Sequence, residues 1–150
     1  MNSIRYKDLT EIDVLISKFS DKSLPVEEWT HVAHLTVGLW FVREYGQAEA
    51  ARKMPDCIYT YNKSVGTKNT DTGGYHETIT QFWIWLLDVY WQRVRDKMTF
   101  LEACNHLFTS PFSERTAFLK FYSKALIFSV KARKEYVSPD IQPLNADLID

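Results

Sequence analysis

The sequence predicts an all-α fold: a single-domain bundle of about six helices over residues 1–150, with an extended, proline-containing C-terminal tail. Three observations carry this. Apolar residues recur at helical spacing through almost the whole chain. Gly and Pro number five each among 150 residues, too few punctuating residues for a turn-rich β fold. Aromatic residues make up 15% of the chain, and such side chains bury large areas in well-packed interiors or line pockets.

Each element follows from its own pattern. A first amphipathic helix is expected from about Tyr6 to Phe19. Pro25 suits the first turn of a second helix, and Glu27 and Glu28 suit its positive end. That helix runs to about Tyr45, where Gly46 stops it. A third helix covers Gln47 to Ser64, with a kink or break near Met54 because Pro55 lacks a backbone donor. The polar stretch Gly66 to Gly74 is a loop. A fourth helix follows from about Tyr75 to Lys97 and a fifth from Thr99 to Phe108. After Ser110-Pro111 a helical pattern resumes near Ser113 and continues to about Tyr136, bent around Ser123. Pro139 and Pro143 then hold the tail extended.

Composition excludes several function classes. Eighteen basic and 19 acidic residues leave a net charge of −1, which provides no electrostatic footprint for nucleic acid. No window approaches about 18 uninterrupted apolar residues, so neither a membrane span nor a membrane partner is expected. The N-terminal residues lack the apolar segment of a signal peptide. The two cysteines, Cys57 and Cys104, fit a reducing compartment better than a disulfide framework. The expected location is therefore cytoplasmic. The aromatic excess fits a homodimer interface and a filled core equally well.

The second helix raises the functional question. Its apolar residues from Trp29 to Val42 point in nearly every direction, as in a central helix. It nevertheless carries His31 and His34, which project within about 60° of each other one turn apart. Glu28 precedes them and Gly38 follows on the same stripe. A mid-helix glycine signals close approach by another group. Two adjacent buried imidazoles cannot both be charged cheaply, so they call for a metal, a carboxylate or an ordered water between them. Glu28 and His31 have the Glu-x-x-His spacing of di-iron bundles, but no second copy exists, which disfavours that site.

His76 supplies a third nitrogen at the expected start of the fourth helix, where the helix dipole favours the neutral ring a metal needs. Glu77 beside it suits a fourth ligand, a general base or a favourable helix-start charge. The glycines Gly73 and Gly74 precede a helix and leave backbone N–H groups open for an anion. Lys68 in the same loop adds charge, Asn62, Asn69, Tyr61 and Tyr75 flank it, and Trp83 lies seven residues beyond His76. The same loop also reads as a flexible turn that caps the fourth helix through Asp71 or Thr72.

The stretches "EWTHVAHL", "YNKSVGTKNTDTGGYHETIT" and "YSKALIFSVKARKEYVSPDIQPL" together resemble a family of small bacterial helical proteins usually labelled hypothetical. The resemblance spans roughly Leu24 to Leu144 and rests on the Trp-Thr-His-x-x-His-Leu and Gly-Tyr-His-Glu-Thr-Ile-Thr motifs. It implies no activity, cofactor or substrate.

The leading expectation is thus a small metal-dependent enzyme acting on a small polar or anionic molecule. His31, His34 and His76 would hold one divalent metal, zinc or iron, and Glu77 and Glu28 would serve in catalysis. Tyr75, Asn62, Lys68, Gly74 and Trp83 would contact the substrate. The alternatives are a metal-free His/Glu pocket for ligand binding or acid–base chemistry, and a non-enzymatic interaction protein whose histidines form a structural network.

Overall fold

The computed structural model describes residues 5–149, and the outermost residues at either end of the 1–150 reading lie outside it. Asp8 opens the first helix, α1 (Leu9–Ser20), by accepting the Glu11 N–H at 3.2 Å. It buries Ile12, Ile16 and Phe19, one stripe at helical spacing. Pro25 does not begin the second helix. It precedes a short 3₁₀ turn at Val26–Glu28, and α2 (His31–Ser64) starts only after Thr30 caps it by accepting from the Ala33 N–H. The shift matters because Glu28 belongs to the turn, not to the helical stripe of His31.

α2 is 34 residues long but has two arms. Gly46, at φ 79° and ψ 166°, breaks the helical path between 31–45 and 47–64, a conformation open to glycine. This is where the sequence places a stop. No break occurs at Pro55: the backbone keeps helical dihedral angles there. Proline leaves the carbonyl four residues earlier without its helical donor, and that carbonyl, on Ala51, accepts from the Gln81 side chain at 3.1 Å. The neighbouring helix thus satisfies the group that proline orphans.

That neighbour is α3 (Glu77–Val94), which packs against both arms of α2 and forms the centre of the molecule with them. Gly38 permits the closest approach, since a Cβ there would lie 2.6 Å from Leu87 Cδ1. α4 (Phe100–Leu107) begins with a capping box in which the Thr99 hydroxyl and the Glu102 carboxylate satisfy each other's backbone N–H groups.

The long helix expected from Ser113 to Tyr136 does not form. The segment is a series of short turns: 3₁₀ turns at Pro111–Ser113 and Ala117–Lys120, then α5 (Lys124–Ile127) and α6 (Val130–Lys134). Ser123 and Ser129 each cap a new short helix by accepting an N–H three residues on. Asp140 accepts from both the Ser123 N–H and hydroxyl, which fastens the returning tail at this corner. Thr78 of α3 ties down the other end: its hydroxyl donates to the Ala132 carbonyl at 2.7 Å and accepts from the Val137 N–H at 3.2 Å.

The architecture is all-α, with six helices and no strand among the described residues. None of these helices is long and apolar enough to cross a membrane. Both cysteines are free, Cys104 in the core and Cys57 half-buried.

The loop from Gly66 to Gly74 is an ordered link rather than a flexible turn. The Asn69 side chain is its hub: Oδ1 accepts from Asn62 Nδ2 and the Tyr75 N–H, and Nδ2 donates to the Tyr59 carbonyl. Gly74 has φ 79°, and a Cβ would lie 2.5 Å from the Lys68 carbonyl oxygen. Gly74→Ala is therefore expected to cost about 1–3 kcal/mol, read as a lower urea midpoint. An unchanged midpoint would show that the loop has another way to turn.

Candidate functional site

The two arms of α2, the face of α3 and the segment around Arg115 enclose a cavity of about 510 Å³. His31, His34 and Gly38 line it from the first arm, Met54 and Ile58 from the second. Ile79, Thr80, Trp83 and Leu87 close the α3 side, with Phe118 and Arg115 opposite. Thr30, His34 and Arg115 are the exposed members of this lining, which places its mouth at that end. Among the described residues, no carboxylate lines the cavity, and Arg115 is its one formal charge.

Each imidazole of the pair is held by one nitrogen. His31 Nε2 lies 2.8 Å from the Ser113 carbonyl oxygen and His34 Nδ1 lies 2.6 Å from that of Thr30. A carbonyl only accepts, so each of these nitrogens carries the hydrogen and donates. The remaining nitrogens, Nδ1 of His31 and Nε2 of His34, are left as lone-pair acceptors. Trp29 fixes the His34 ring: the two stack with centroids 3.8 Å apart, and Phe19 stacks on the indole at 4.6 Å. Trp83 meets His31 edge-on at 5.5 Å.

The surroundings keep both rings neutral. Burial is the main cause for each, and the Arg115 guanidinium works in the same direction. His34 is pushed down to about 4, with His31 adding to the effect and the Thr30 carbonyl opposing it. His34 is exposed at the mouth, yet its ring stacks on Trp29 and lines the cavity. That packing around part of the ring opposes protonation.

His76 stands elsewhere and does something different. It is the N-cap of α3, with Nδ1 accepting the Ile79 N–H at 3.1 Å. Its Nε2–H donates to the Ile127 carbonyl at 2.6 Å. Both ring nitrogens are therefore committed to backbone, and the ring is absent from the cavity lining. The three-histidine metal centre does not assemble: among the described residues, no group of three or more His, Cys, Asp or Glu side chains is placed to hold a metal ion.

The other expected site residues also separate. Glu28 is exposed on its 3₁₀ turn. Glu77 accepts from the Tyr75 hydroxyl and from Gln81 Nε2, outside the cavity. Asn62 is buried as a support for Asn69, Lys68 is exposed, and Gly74 is a steric requirement of the loop. Tyr75 faces a smaller recess of about 360 Å³ with Tyr59, Asn69 and Arg133. Of the residues singled out for ligand contact, only Trp83 lines the main cavity, beside His31 and His34.

The residue that sequence reasoning missed is Arg115. It lies between two 3₁₀ turns, in a stretch read as helix, and no local motif marks it. Only the packing of that segment across the mouth of the cavity brings its charge to the histidines. No protein family, no curated protein and no solved structure gives a match to this chain.

Proposed function

We propose that the chain is a small-molecule-binding protein whose ligand sits in the cavity between the α2 arms and α3 and donates a hydrogen bond to His34. The carrying observation is the pair of imidazoles whose carbonyl bonds leave one acceptor nitrogen on each ring. The volume, about 510 Å³, falls within the usual range of small-molecule sites. An apolar, aromatic wall with a few convergent polar groups is the usual make-up of such a site.

Recognition suits His34 better than proton abstraction. A general base works best when its pKa lies near the operating pH. His34 is held at about 4, so near neutrality it is a persistent acceptor and a weak base. The proposal therefore follows the metal-free binding alternative and assigns Glu77 and Glu28 no part in the chemistry.

Phenol and toluene test it, because they share a ring and differ in the donor. In buffer containing EDTA, phenol is expected to shift the His34 ring signals and to bind about fivefold more tightly than toluene, the worth of one modest hydrogen bond. His34→Leu should erase that preference while leaving toluene binding intact, which also reports an intact cavity. The reading fails if phenol leaves the His34 and Trp83 signals unmoved, or if its advantage survives the substitution.

A further inference from the structure

We propose that the cavity selects aromatic monocarboxylates, with the ring against the apolar lining and the carboxylate on Arg115; this rests on the reading of the cavity as a small-molecule site. Arg115 is exposed at the mouth, is the lining's one formal charge and makes no ion pair or hydrogen bond among the described residues. The adjacent Glu114 is occupied by the Thr116 hydroxyl at 3.3 Å. Arg52 pairs with Glu49 at 2.6 Å and Arg133 donates to the Gly74 and Tyr75 carbonyls, while Arg95 lies over the Trp91 ring at 5.9 Å; Arg115 differs in standing at the mouth of a cavity. Arg115 keeps its planar fork of donors for a group that the chain does not supply, and that fork matches a carboxylate in bidentate fashion.

The rest of the lining narrows the class. The two imidazoles are neutral and present lone pairs, so they neither compensate a second negative charge nor repel a ring hydroxyl or N–H. A cationic ligand would meet Arg115 in the lining itself, whereas Glu114, whose charge reaches His31, lies outside that lining. A phosphate dianion would find one fixed cation where such groups are usually gripped by several donors. The first turn of α2, at Thr30 and His31, puts the positive end of a helix at the same mouth and adds to the preference for a single negative charge. Trp83, Ile79, Ile84 and Leu87 make the inner wall apolar, which rewards a ring over a short polar acid.

Three probes of one shape decide it: 4-hydroxyphenylacetate, 4-hydroxyphenylacetamide and tyramine, titrated calorimetrically into the intact chain. The acetate is expected to bind about tenfold more tightly than the amide, with tyramine weakest. Arg115→Gln should remove the difference between acetate and amide while preserving amide affinity, so a folding defect cannot imitate the result. The proposal is overturned if the amide matches the acetate in the unsubstituted protein, or if the preference for acetate persists without Arg115. Should phenol bind and none of these three do so, the carboxylate class is wrong and the binding site stands. Should phenol also fail, the site reading goes with it.

Discussion

His76→Ala is expected to lower the free energy of unfolding by about 2–4 kcal/mol, a large loss for a single polar substitution. Two separate costs add. The Ile79 N–H at the start of α3 loses its side-chain acceptor, and such a cap is worth about 1 kcal/mol. The Ile127 carbonyl loses its donor in a region where His76 itself is only 7% exposed, and an unsatisfied buried acceptor costs about 1–3 kcal/mol more. Urea unfolding with an unchanged denaturant slope measures the sum. His76→Asn separates the parts, because asparagine caps well and is too short to reach Ile127. It should recover the cap and leave the second cost. Phenol affinity of the folded variant should be unchanged, since His76 does not line the cavity. A loss below about 1 kcal/mol, or a collapse of phenol binding in a variant of full stability, would return His76 to the ligand site.

The same residue shows where sequence reading stops. A histidine just ahead of an apolar helix is a ligand candidate and a cap candidate at once, because one ring nitrogen serves either purpose. What decides is the Ile127 carbonyl, 51 residues away, and local pattern carries no information about it. The long periodic segments were legible for the opposite reason. The stripe of α1, the interruption at Gly46 and the close approach at Gly38 are each written in a few neighbouring residues. His31 and His34 were likewise legible as a pair sharing one environment, since three residues along a helix bring two side chains to one face.

The C-terminal third misled because helical periodicity persists through "YSKALIFSVKARK" while its serines act as caps. Ser123 and Ser129 compete for the backbone and restart the chain in new directions. Pro55 misled in the other sense. A proline inside a helix predicts a break, and a glutamine from the neighbouring helix removed the reason for one. At Pro55 a tertiary bond settled a choice that local chemistry left open, whereas the serine caps are local bonds that the helical periodicity masked. Arg115 resembles Pro55 in this, since its place at the cavity mouth comes from where the broken segment lies and not from its neighbours in sequence.

Stability is expected to fall as the pH drops from about 6.5 toward 4, with His34 a principal contributor. In the unfolded chain His34 takes up a proton near its ordinary value of 6.5, whereas in the folded protein it does so only near 4. Between those values the unfolded state holds more protons, so stability rises with pH. The contribution is fully present above 6.5 and is lost as pH falls through the folded value. His31 and His76 are also depressed, both chiefly by burial, and act in the same direction. A full proton of difference gives a slope of about 1.4 kcal/mol per pH unit, and water in the cavity reduces the share of His34 below that limit. The carboxylates of Asp21, Glu49 and Asp140 are lowered from ordinary values of 3.8, 4.5 and 3.8 by their hydrogen bonds, so they add to the loss at the acid end of this range, and the histidines dominate its upper part. Melting curves should therefore be flat from pH 8 to 7 and decline below about 6.5, and His34→Leu should decline less steeply. Phenol affinity should hold nearly constant from about pH 8 to 5, since the folded His34 remains an acceptor throughout. If phenol binding instead halves near pH 6.5, the His34 ring is protonating at its ordinary value, the cavity is not shielding it, and the acceptor that defines the site is lost in mildly acidic solution.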